Sequence, residues 1–154
     1  MPNHPTAYET DFYAWLQDQA VLLAARRFEE LDLPHLVEEL QLMGNSERGE
    51  LSNRLSVLLA HLLKLQSAPD RLPYGYDRAQ RGWHLTCTEQ RLQLGKLLRR
   101  NPSLRPSVPE ELPDAYAIAR LQTALALGID EAALPPTCPW GATQVLEADF
   151  WPAT

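Results

Sequence analysis

Between Ser46 and Leu65 the chain reads SERGELSNRLSVLLAHLLKL, and Leu51, Leu55, Leu58, Leu62 and Leu65 recur at alternating steps of four and three. Such steps keep side chains on one side of a helix, so the stretch predicts an amphipathic helix with a single apolar stripe. It contains no proline, so neighbouring helices must be fitted to it rather than the reverse. A chain of 154 residues is long enough to bury a core without disulfides or metal, and one domain over 1–154 is expected.

The remaining segments predict further helices. Thr10 can cap a helix from Asp11 that fades near Arg26 and Arg27, with Phe12, Trp15, Leu16, Gln19 and Leu23 on one side. Asp32 can cap a second helix with Pro34 in its first turn and Leu36, Leu40 and Met43 facing inward; Gly44 then reads as its left-handed stop. The organising helix follows, and SAPDRLPYGYD, residues 67–77, reads as a loop. A fourth helix over about 78–100 turns Ala79, Trp83, Cys87, Leu94 and Leu97 inward, with Gln90 on the same stripe. A fifth, about 113–127 and closed by Gly128, has two apolar sides: Leu112, Tyr116, Ala119 and Thr123, and opposite them Ile118, Leu121 and Leu125. That pattern suits a central position in a bundle, with a dimer face as the other option. The tail has room for a short helix near Thr143, and Trp140, Phe150 and Trp151 are expected to pack back as a clasp. The expected fold class is therefore all-α: a single-domain bundle of about five main helices plus a short C-terminal one.

Charge is unevenly spread. Residues 1–70 hold eleven acids and five bases, 71–105 two acids and eight bases, and 106–154 seven acids and one base. The middle block, with Arg71, Arg78, Arg81, Arg91, Lys96, Arg99, Arg100 and Arg105 among Tyr74, Tyr76, Trp83 and His84, suits cations on phosphate with rings free to stack. On this reading Arg78, Arg81, Trp83 and Arg91 are the nucleic-acid contacts. A basic helix neutralised by acidic neighbours explains the same residues, and the net charge of −6 opposes polyanion binding, so this second reading is preferred. Cys87 and Cys138 lie far apart without metal or redox spacing, no signal peptide is visible at MPNHPTAYETDF, and no apolar run reaches membrane-spanning length. These features point to a cytoplasmic protein without membrane attachment.

Three groups of residues resemble a known family. They are Tyr8-x-x-Asp11-Phe12-x-x-Trp15, then Glu38-Glu39-x-x-x-Met43-Gly44-x-Ser46-Glu47, then Arg54-Leu55-x-x-Leu58-x-x-His61-Leu62-Leu63-Lys64. With Trp83, Glu89-Gln90-Arg91, Asn101-Pro102-Ser103-Leu104, Cys138-Pro139-Trp140 and Phe150-Trp151-Pro152, the chain resembles the bacterial domain-of-unknown-function family number twenty-nine over nearly its whole length. The resemblance implies an all-helical fold and no assigned activity. Leu65, Cys87 and Gly49 depart from the family's usual residues, the first two as core swaps and the third by loosening the organising helix.

For chemistry, Glu47, Arg54 and His61 fall at i, i+7 and i+14, and a turn at Gly44 would bring Glu39 beside them. Glu39, Glu47, Arg54 and His61 are then an expected polar cluster between helices. Glu39, Glu47 and His61 suit a metal-dependent enzyme, but the arginine would repel a cation, and a structural network is preferred. His35-x-x-Glu38 is the reverse of the di-iron order, Cys87 sits on an apolar stripe, and no HExxH, phosphate loop, GxSxG or zinc spacing occurs. No catalytic residue, metal or cofactor is expected. The favoured function is a non-enzymatic module for a protein partner or self-association through Ile118, Leu121 and Leu125, with a nucleic-acid regulator as the alternative.

Overall fold

A computed structural model describes residues 7–68 and 75–153. Arg71, Tyr74 and most of the expected 67–77 loop lie outside the described residues. The chain is all-α, with helices α1 (Ala7–Thr10), α2 (Phe12–Ala24), α3 (Leu33–Ser67), α4 (Tyr76–Arg100), α5 (Ser107–Leu127) and α6 (Ala142–Leu146). Short 3₁₀ turns lie at Phe28–Glu30, Pro102–Leu104 and Glu131–Ala133. Two compact units divide at Ser46, residues 1–46 and 47–154.

Two expected boundaries are corrected. Gly44 does not stop a helix: the expected second and third helices are the single 35-residue α3. Gly44 is absent from the positive-φ glycines, and a glycine inside a helix costs only about 1 kcal/mol, which the packing of the leucine stripe beyond it offsets. Helix α5 begins at Ser107, earlier than Pro113. Pro109 stands at its third position, where no N–H is needed, and Pro113 forfeits one backbone bond while Val108 and Leu112 are buried.

In the first unit Asp11, and not Thr10, caps α2: its carboxylate accepts from the Ala14 N–H at 3.0 Å. The helix ends in a Schellman turn, with Arg26 N–H on Leu23 O and Arg27 N–H on Leu22 O. Arg26 takes the left-handed conformation (φ 56°) that glycine usually supplies. α2 and the start of α3 are antiparallel, joined by a polar and aromatic node. Trp15 Nε1 and His35 Nδ1 both meet Asp32 Oδ2, at 3.0 and 2.7 Å, and the Asp32 N–H donates to Gln19 Oε1. Tyr8 stacks on His35 at 3.8 Å and donates its hydroxyl to Glu39 at 2.7 Å. Burial works to raise the Asp32 carboxyl, but the His35 and Trp15 hydrogen bonds prevail and hold it below its ordinary value.

The second unit is organised around the stripe expected from the leucine spacing. Leu51, Leu55, Leu58 and Leu62 are fully buried, joined by Leu59 and Leu63, so α3 is covered on a wide arc here. α4 contributes Cys87, Leu94, Leu97 and Leu98, and α5 contributes Leu112, Ala115, Tyr116 and Ala119. The small residues Ala60, Ala115 and Ala119 let α3 and α5 approach closely enough for Thr123 Oγ1 to donate to Ala60 O. Burial raises the Cys87 thiol to about 12, so it behaves as a small hydrophobe.

Candidate functional site

Of the expected polar cluster, Glu47, Arg54 and His61 lie in the second unit, each with its own hydrogen-bond partners. Glu39 belongs to the first unit, where its carboxylate accepts from the Tyr8 hydroxyl. Glu47 accepts from Asn101 Nδ2 at 2.8 Å, whereas Arg54 donates to Glu50 at 2.8 Å and to Gln90 at 3.3 Å. His61 donates through Nδ1 to Val57 O, and burial, reinforced by the Lys64 cation, lowers its pKa. Glu47 and Arg54 thus tie α3 to α4 and its C-cap, whereas His61 bonds within α3. No trio of His, Cys, Asp or Glu able to hold a metal occurs among the described residues, so the metal-enzyme reading of Glu39, Glu47 and His61 loses its geometry.

Of the expected nucleic-acid contacts, Arg78 and Arg81 are exposed on α4, and Trp83 is half-buried against the core with Tyr76 at its edge. Arg91 requires correction. It is buried, its Nε and Nη2 donating to Val145 O and Phe150 O at 2.9 and 2.8 Å, with a longer bond to Ala148 O. The Trp151 ring lies 4.8 Å from its guanidinium carbon. Enclosed in this way, Arg91 offers nothing to a phosphate. It seats the tail, whose Trp140 joins the core while Phe150 packs on it, as expected of a clasp. Sequence reasoning missed this role, although Arg91 falls on the buried row Cys87, Leu94 and Leu98.

The fifth helix is also corrected. Its inner row is buried as expected, but it is not enclosed on both sides: Ile118, Leu121 and Leu125 are 47, 50 and 74% exposed. In the first unit, Phe12, Leu16 and Leu23 on α2 and Leu33, Val37 and Leu40 on α3 are exposed as well. No described helix is long and apolar enough to cross a membrane. The molecule therefore displays apolar helical rows more plainly than it displays reactive groups.

No curated protein and no solved structure matches the chain. A family model does, over residues 7–151, and the chain belongs to the family described as Domain of unknown function DUF29.

Proposed function

We propose that this chain is a non-enzymatic, cytoplasmic protein-interaction module of a bacterial cell, docking a helical partner through the outer side of α5. The observation that carries the reading is the spacing of Ile118, Leu121 and Leu125. Exposed apolar residues at i, i+3 and i+7 on a well-anchored helix are the anchors by which a helix occupies a partner's groove. The inner row holds α5 rigid, so little ordering entropy opposes docking. Changing Leu121 and Leu125 to glutamate should abolish capture of a specific protein from a lysate of the native host while circular dichroism stays unchanged. Equal capture by both proteins overturns the reading.

A second reading, regulation through nucleic acid, draws on the exposed cations Arg78, Arg81, Lys96, Arg99 and Arg100 of α4. It requires binding that weakens steeply with salt and with charge reversal at Arg78 and Arg81.

A further inference from the structure

The face of α3 that is fully buried from Leu51 onward is uncovered in the first unit. Leu33, Val37, Leu40 and Gly44 keep the same steps of four and three that lead into Leu51, Leu55 and Leu58, yet Leu40 is 67% exposed while Leu58 is at 0%. α2 repeats the pattern with Phe12, Leu16 and Leu23, all exposed. In the hairpin these helices form, Trp15 is the one large apolar side chain that is buried among the described residues. Two helices alone cannot enclose a core, and the common solution for a helical hairpin is to pair with another hairpin.

We propose that residues 7–46 form a homodimerisation hairpin, in which the rows Phe12, Leu16, Leu23 and Leu33, Val37, Leu40 of two copies pack together as an antiparallel four-helix bundle. The area supports a second copy. Six large side chains, each about half exposed, amount to several hundred Å² per chain, at the upper end of the roughly 300–600 Å² patch of an ordinary monomer and approaching the about 800 Å² per partner of a stable interface. Net charge opposes pairing of two copies, but the carboxylates are kept off the rows. The first unit holds eight acids against two bases, but Asp18 on α2 and Glu38 and Glu39 on α3 fall more than about 100° round their helices from these rows. A cationic partner would find no carboxylate on the rows themselves, whereas a second uncharged apolar face fits them. Gly44, with open space where a Cβ would stand, lets a helix come close at the end of the α3 row. The proposal shares with the α5 reading only the class of activity.

The test is sedimentation equilibrium of the full chain from about 1 to 100 μM, at low and high salt. A dimer is expected whose dissociation constant falls as salt rises, because screening relieves repulsion between two acidic hairpins. Leu16→Glu and Leu40→Glu should each weaken it at least about tenfold with unchanged helicity, since both positions are already exposed in a single copy, and Leu40→Gln should weaken it less. A Leu121→Glu, Leu125→Glu variant should keep the dimer, so loss of the α5 partner and loss of the dimer are read separately. A monomer throughout, a dimer indifferent to Leu16 and Leu40, or a dimer that dissociates as salt is added overturns the proposal.

Discussion

Residues 47–154 bury twenty-two apolar side chains and leave six large ones exposed, whereas residues 7–46 bury one and expose eleven, among the described residues. The two units also divide the charge: twelve acids balance twelve bases in the larger, and the smaller carries the whole net charge of −6. Each is helical, but they are held by different forces. The larger unit rests on removal of area from water, which is non-directional and large. The smaller rests on a few directed bonds around Asp32, each contributing about 1 kcal/mol in net terms. The lesson is that the apolar periodicity of a helix reports a surface that can be buried, and neighbours decide whether it is.

The largest test of that contrast lies along α3 itself. Leu58→Ala should cost about 2–5 kcal/mol in urea unfolding, because it empties part of a closed core. Leu40→Ala, on the same helical row, should change stability by no more than about 0.5 kcal/mol at concentrations where the hairpin face is unpaired. Equal losses would show that the first unit has a core of its own. A smaller effect compares two helix ends. Arg26 and Gly128 occupy equivalent left-handed positions of Schellman turns closing α2 and α5. Arg26→Gly should stabilise by up to about 1 kcal/mol and Gly128→Ala should destabilise by a similar amount, measured by thermal unfolding.

The smallest expected effect separates the units by pH. His61 has a lowered pKa when folded, so the unfolded chain takes up its proton first. The stability that neutral His61 confers is complete above its ordinary value near 6.5 and is lost as pH falls through that value toward the folded one. Asp32 is depressed as well, but as an acid. Its contribution is intact above the ordinary carboxylate value near 4 and is lost only as pH falls below it toward the folded value. Melting followed between pH 7 and 5 should therefore slope downward for the wild type and flatten in His61→Gln. A slope that persists in the variant assigns it to another group.

Much of this was legible from side-chain spacing. The leucine stripe, the inner row of α5, the apolar setting of Cys87 and the tail clasp all follow from local periodicity and composition. Gly44 was not legible, because an interior glycine and a glycine stop look alike in sequence and differ only in what the following residues pack against. The expected polar cluster depends on the same reading, since it places Glu39 beside Arg54 by a turn at Gly44, where α3 is continuous. For α5, periodicity reports two apolar sides without saying how many neighbours are present to cover them, and the outer one is exposed. The charge of Arg91 suggests a surface contact, whereas its place on the row of Cys87 and Leu94 marks a buried cation in need of carbonyl acceptors.

The seat of Arg91 also sets an order of events during synthesis. Its acceptors, the carbonyls of Val145, Ala148 and Phe150, lie 54 to 59 positions further along the chain. A ribosome has long since finished α4 when it reaches them, so the arginine waits, solvated, while α5 and the tail emerge. The hairpin closes over a shorter span: its Tyr8 to Glu39 bond covers 31 positions, so both partners emerge long before the tail is made. The hairpin can therefore form before the last acceptors of the larger unit have been made.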